Sequence, residues 1–169
     1  NIENVMTAIL AARICGCQPD RIIQTVSGFR GIAHRIEFVE EKQGVAYYDD
    51  SKGTNVGAVI RALETFRNPV ILLLGGRDKD GDFESLAPLI KERVKTLILF
   101  GEARERIREK LEDLVETELR PTLRAAVAAA RNRAQKGDVV LLSPGCASFD
   151  EFTDYKERGN FFQTMVKAF

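Results

Sequence analysis

The run "VILLLGG", Val70 to Gly76, is apolar at five successive positions before two glycines stop it. A strand with one wet face alternates apolar and polar residues. Unbroken apolarity over so short a run predicts a strand covered on both sides, as in parallel sheets. "TLILFG" (Thr96–Gly101) and "VVLLSPG" (Val139–Gly145) repeat the pattern. Helices are predicted between and after these runs, near 55–67, 83–93, 102–114, 122–136 and 158–169. A short, charged β segment fits Val115–Glu118. Strand and helix in alternation predict an α/β fold with a doubly wound, mostly parallel sheet.

Upstream the pattern changes. "ENVMTAILAARICGC" (Glu3–Cys17) carries Val5, Ile9, Leu10 and Ile14 at helical spacing. "QPDRIIQTVSGF" predicts a second helix, opened by Pro19 and Asp20 and closed by Gly28. In "HRIEFVEEKQGVAYYDDS" (His34–Ser51), Ile36, Phe38 and Glu40 mark alternate positions and Lys42-Gln43-Gly44 a turn, which predicts an initial β-hairpin. The expected division is a helical segment, 1–32, and an α/β domain, 33–169. A chain that opens on Asn1 inside a helix-like pattern is expected to be a piece of a longer protein.

With 169 residues, 44% hydrophobic and 30% charged, the chain can bury a core without staples. Lys+Arg and Asp+Glu balance at 25 each, which removes the basic field expected of a nucleic-acid or anionic-membrane binder. Any anion must be met by a few placed groups. Neither a transmembrane-length apolar run nor a signal peptide is seen. The spacing of Cys15 and Cys17 fits neither a zinc knuckle nor a thioredoxin-type pair. Together with Cys146 they are expected to be reduced and buried, in a cytoplasmic protein.

Parallel sheets bind ligands beyond the carboxyl ends of their strands, where the strand order switches. Three polar clusters fall there: Asp49–Asn55, Gly75–Lys79 and Ser143–Asp150. In "DDSKGTN", Asp50 stands at a strand end, Lys52 and Gly53 form a turn, and Thr54 or Asn55 caps a helix. That segment reads either as an ordinary capped helix or as an anion site, with Lys52 adding to the free N–H groups of the helix start. "GGRDKDGDF" reads as a solvated loop or as backbone that lets a ligand approach two glycines beside Arg77 and Lys79. In the last cluster Pro144 and Gly145 stop the strand, and Ser148 and Asp150 follow. Phe149, Phe152, Tyr155, Phe161 and Phe162 read first as core or lid packing. Cys146 has no histidine near it in sequence and is not read as a nucleophile. The single histidine, His34, reads first as a structural hydrogen-bonding residue.

In their order, "HRIE", "DDSKGTNVGA", "LLLGGRDKD" and "LLSPGCASFDEFTDYKERGNFF" resemble the C-terminal domain of the Mur ligases. The resemblance covers essentially the whole chain. The D-S-K-G-T-N turn and the S-P-G-C-A-S-F-D-E-F segment resemble the D-glutamate-adding, MurD-type branch. The opening "NIEN" and its helices resemble the tail of the central ATPase domain. This resemblance implies a Rossmann-like domain of an ATP-dependent amide ligase of peptidoglycan synthesis. It implies UDP-MurNAc-L-alanine, D-glutamate and ATP as substrates, with an acyl-phosphate intermediate. By the same resemblance Asn1 and Arg35 face adenine and ribose, Asp50 accepts from the ribose, and His34 lies near nucleotide and metal. Lys52 and Thr54 fall near the reacting phosphate, Thr54 also toward D-glutamate. Lys79 holds one D-glutamate carboxylate, Ser148 and Phe149 the other, and Tyr155 supplies a ring wall. The sequence departs from the family in Tyr155 for the commoner Phe, in Gly53 and Gly145 for commoner alanines, and in the charges of "GGRDKD". The glycines are expected to loosen the backbone mildly.

The family's P-loop, its Mg2+-binding acids and its modified lysine belong to the central domain, and no GxxxxGK[ST] occurs here. The expectation is therefore a monomeric fragment with no metal ligands of its own. It would be inactive without the N-terminal and central domains, and would complete the site when domains close. The rival expectations are another Mur-type ligase, a folylpolyglutamate synthase, or a nucleotide- or amino-acid-binding module without chemistry.

Overall fold

The structure is a computed structural model that describes residues 2–111 and 113–169. It divides into two compact units, 1–32 and 33–169. The first holds α1 (Ile2–Ile14) and α2 (Pro19–Gly28), neither of which buries a residue. No helix among the described residues is long and apolar enough to cross a membrane.

The second unit opens with the hairpin β1 (Glu37–Lys42) and β2 (Val45–Asp49). There follow α3 (Val56–Leu63), β3 (Val70–Gly75), a 3-10 turn (Phe83–Leu86) leading into α4 (Ala87–Arg93), and β4 (Val94–Phe100). The chain ends with α5 (Arg104–Leu111), β5 (Glu116–Arg120), α6 (Leu123–Arg133), β6 (Val139–Gly145) and α7 (Tyr155–Lys167). The six strands are ordered β1-β2-β6-β3-β4-β5, and only the β1–β2 pair is antiparallel.

Continuous apolarity is needed because both faces of the sheet are covered. Val70, Leu72, Leu74, Leu97, Leu99 and Leu141 pack with α3, α4 and α5. Their alternates Ile71, Leu73, Ile98, Phe100 and Leu142 pack with α6 and α7. The chain walks outward from β3 to β5 with helices on one face. It then returns through α6 on the other face to place β6 between β2 and β3. That return is the order switch, and the loops after β2, β3 and β6 meet there.

Several bounds differ from the sequence reading, each for a local reason. Helix α3 stops at Leu63, and Phe66 turns back into the core. Pro88 sits at the start of α4, so the turn before it is 3-10. The charged segment near 115 is a true edge strand, its Glu116 and Glu118 ion-paired to Arg133. Helix α7 begins three residues before the expected start. Of the cysteines, Cys15 and Cys17 are exposed and only Cys146 is buried, which corrects the expectation of three buried thiols. All three are unpaired.

Candidate ligand site at the strand order switch

The loop after β2 is held from behind. Asp49, the last residue of β2, is fully buried, and one of its oxygens accepts the Ser51 N–H at 2.9 Å. The other lies 2.7 Å from His34 Nδ1 and also accepts Gln163 Nε2 at 2.9 Å. A buried carboxylate on Nδ1 fixes the imidazole orientation and keeps a proton on that nitrogen. The His34 backbone is pinned as well: its N–H donates to Glu37 Oε2 and its carbonyl accepts from Lys52 N–H. His34 and Ile36 have φ of 61° and 47°. A β-branched residue there is strained, so the surrounding bonds must hold this corner in place.

Asp50 is buried too. Its carboxylate accepts the Ser143 hydroxyl at 2.7 Å and the Ile36 N–H at 3.3 Å. Burial is the main influence and pushes its pKa up to about 6, against those two bonds and the nearby Arg35. Each oxygen keeps a lone pair for a further donor. Lys52 is half-buried, with Nζ 5.6 Å from the centre of the Tyr155 ring, a cation–π arrangement. The Tyr155 ring stands edge-on to His34 at 6.2 Å. Of the two capping candidates, Asn55 is the cap: its side chain accepts the Ala58 N–H at 2.9 Å. Half-buried Thr54 is not the cap, and its N–H donates to the Lys52 carbonyl.

The loops after β3 and β6 are stitched together by two backbone bonds of 2.9 Å, between Arg77 and Ala147 in both directions. Gly75 and Gly76 let neighbouring backbones pack closely at these strand ends. A Cβ would meet the Phe100 carbonyl oxygen at 2.0 Å from Gly75 and the Ala147 carbonyl oxygen at 2.4 Å from Gly76. Arg77 is paired with Glu102. Lys79 is exposed, and among the described residues it has no hydrogen-bond or ion-pair partner. The acids on either side of it, Asp78 and Asp80, both pair with Arg106 of α5, which anchors the loop under the lysine. Ser148 is buried and Phe149 is 58% exposed. Burial pushes the Cys146 thiol up to about 12, so it is not a nucleophile.

The two glycines that depart from the family are tightly placed, not loosened. Gly145 has φ 65°, and a Cβ on Gly53 would fall 2.4 Å from the Asp50 carboxylate. His34, Lys52 and Tyr155 are thus brought into contact, and Asp50 stands on the same loop, bonded to Ser143 and Ile36. Ser148 and Phe149 stand on the adjoining loop, while Arg35 and Lys79 are exposed at the rim. Asn1 lies outside the described residues.

His34, Glu37 and Asp49 offer ligand atoms within 4.8 Å of one another. Gln163 Nε2, however, donates to both Glu37 (3.0 Å) and Asp49 (2.9 Å), and His34 fills the rest. The trio is satisfied without a cation and is not an open metal site.

Sequence reading missed the side chain at the centre of the switch. Arg158 of α7 is fully buried. Its Nε donates to Ser51 Oγ (2.9 Å), and its two terminal nitrogens to the carbonyls of Ser51 (2.9 Å) and Cys146 (3.1 Å). Burial pulls its pKa down to about 10, which leaves it charged at neutral pH. Gly159 beside it makes room for His34. The signal was present in the sequence: Tyr155, Arg158, Phe162 and Val166 form one helical stripe.

A family profile, the glutamate ligase domain of Mur ligases, matches residues 34–146. The UDP-N-acetylmuramoylalanine–D-glutamate ligase of Syntrophus aciditrophicus is 66% identical over 169 residues, covering 100% of this chain and 37% of that protein. The enzyme of the same name from Geotalea daltonii is 49% identical over 168 residues, covering 99% and 37%. The chain thus spans just over a third of the length of these curated relatives. Among solved structures, the UDP-N-acetylmuramate-alanine ligase of Thermotoga maritima matches with TM-score 0.74 at 13% identity, covering 99% of this chain and 38% of that one. An E. coli FolC–ADP complex matches with TM-score 0.70 at 18% identity, covering 98% and 39%. At such identities these two share the fold. The profile match spans most of the second unit, so the chain belongs to the Mur ligase family through its glutamate ligase domain.

Proposed function

We propose that this chain supplies the D-glutamate-binding side, and part of the ATP side, of a ligase that joins D-glutamate to UDP-MurNAc-L-alanine. The observation that carries this reading is the 66% identity, over the full chain, to a relative of that name. A carboxylate does not form an amide spontaneously in water. In the proposed reaction the carboxylate of UDP-MurNAc-L-alanine takes the γ-phosphoryl group of ATP, and ADP leaves. The amine of D-glutamate then attacks the acyl carbon, expels phosphate and loses a proton. The protein's work is alignment and charge neutralisation.

Lys52, at the start of the loop before α3, neutralises the reacting phosphate once it leaves the Tyr155 ring. Thr54 donates its hydroxyl toward the junction of phosphate and D-glutamate. His34, held by Asp49, presents its outer nitrogen toward the nucleotide side. Asp50 accepts a ribose hydroxyl through a free lone pair, with Arg35 on the adenosine. Exposed Lys79 forms a charge-assisted bond to one D-glutamate carboxylate. Ser148 and the Phe149 N–H bind the other, and Tyr155 walls the site. Segment 1–32 is assigned to the end of the central ATPase domain. Mg2+ would supply charge neutralisation to the phosphates, and its ligands are assigned outside this chain, because the His34–Glu37–Asp49 trio is already filled. The reading places the protein in the cytoplasm, where its nucleotide substrates are.

The test is an amide-forming assay on the full-length polypeptide with ATP, UDP-MurNAc-L-alanine and competing amino acids. D-Glutamate is expected to be used over L-glutamate, L-lysine and meso-diaminopimelate. Preference for another of these amino acids, or turnover by residues 1–169 alone at the full-length rate, would contradict the proposal.

A further inference from the structure

We infer that Arg158 is a positioning residue, which sets the distance between the phosphate arm and the amino-acid arm of the site. Its guanidinium bonds to two of the three loops of the order switch and lies close to the third. It binds Ser51, next to Lys52, through side chain and carbonyl, and it binds Cys146, two residues before Ser148, through the carbonyl. A Cβ on Gly76 would lie 3.1 Å from its Nη1, so the β3 loop closes the third side. Ser51 Oγ passes the connection on to the Tyr155 carbonyl at 2.8 Å.

The choice of side chain points the same way. A fully buried charge is normally paired with a carboxylate, and here every hydrogen bond goes to a neutral oxygen. The planar fork holds two carbonyls from different loops at fixed separation, which a single ammonium cannot do. Lys52 and Thr54 move with Ser51, and Ser148 and Phe149 move with Cys146. Loosening the fork therefore changes the span over which D-glutamate must present its amine.

This inference rests on the ligase reading. The test is steady-state kinetics of Ser51→Ala, Arg158→Lys and Arg158→Met in the full-length polypeptide, varying each substrate in turn. A misplaced arm raises KM for D-glutamate, whereas loss of folded protein lowers kcat and leaves every KM unchanged. Ser51→Ala is expected to raise KM for D-glutamate about tenfold with KM for UDP-MurNAc-L-alanine unmoved. Arg158→Met should lower kcat/KM for D-glutamate roughly 100-fold, and Arg158→Lys should recover part of that loss. If Arg158→Met does not fold, Ser51→Ala decides. Folded variants whose KM for D-glutamate stays within twofold of wild type overturn the inference alone. A wild-type polypeptide that forms no amide with D-glutamate overturns the ligase reading, and this inference with it.

Discussion

Burial holds the Asp50 carboxyl at about 6, above its ordinary 3.8, although Ser143 and Ile36 both donate to it. The folded chain therefore binds this proton more tightly than the unfolded chain does. The contribution of Asp50 to stability falls as pH rises from about 4 to about 6 and stays low above that. The gap of roughly two units corresponds to at most about 3 kcal/mol. Asp50→Asn keeps both contacts, its carbonyl accepting from Ile36 and its amide donating to Ser143. It is expected to stabilise the chain by about 1–3 kcal/mol at pH 7.5 and to change little at pH 4. Urea melts at the two pH values check this, and equal shifts at both would count against it. Gly159 gives an opposite sign from habit. Replacing a helical glycine by alanine usually gains about 0.5–1 kcal/mol. Here the new Cβ would fall 2.2 Å from His34 Nδ1 and 2.8 Å from Asp49 Oδ2. Gly159→Ala should therefore lose about 1–3 kcal/mol, read as a lower urea midpoint at an unchanged slope.

Helix α7 shows how one cap supports several site groups. Asp154 accepts the Glu157 N–H at 2.8 Å, and Glu157 reaches back to the Thr153 N–H and hydroxyl, both at 2.7 Å. The helix so started carries Tyr155, Arg158, Gly159 and Gln163 toward the strand ends. Asp154→Ala should remove about 1 kcal/mol of stability. Hydrogen exchange should speed up first in the amides of 155–158, and exchange unchanged there would argue against the cap. That start was legible as Asp154-x-x-Glu157, a capping-box variant, but the nearby Gly159 suggests a later beginning. Arg158 heads the stripe of Phe162 and Val166 even in a helix begun at 158, but an arginine beside Lys156 and Glu157 reads as a solvated charge. The apolar runs of β3, β4 and β6 were readable because both faces are buried, whereas the first two residues of β4, Val94 and the exposed Lys95, fall outside its run. The edge strand β5 was barely readable, since its charges are set by solvent and by Arg133.

At the scale of the whole molecule, sequence order says little about which loops meet. The loops after β2 and β6 are some ninety residues apart in the chain, yet Asp50 and Ser143 are hydrogen-bonded because β6 returns between β2 and β3. The resemblance in four short motifs carried the site reading across that gap. The packing partners Asp49 and Gln163 have no local signature and emerge only from the fold. The same topology predicts unequal stability along the chain. Helices α1 and α2, of 13 and 10 residues, bury nothing. Helices of that length are marginal in water without a packed face. Strands β3 and β6, in contrast, are buried at every residue and paired on both sides. In residues 1–169 alone, amides of 2–28 should exchange at least about 1,000-fold faster than those of 70–75 and 139–143, because only the latter require global opening. Exchange mass spectrometry resolves the two sets. Comparable protection in both would mean that the first unit is held by contacts its burial does not reveal.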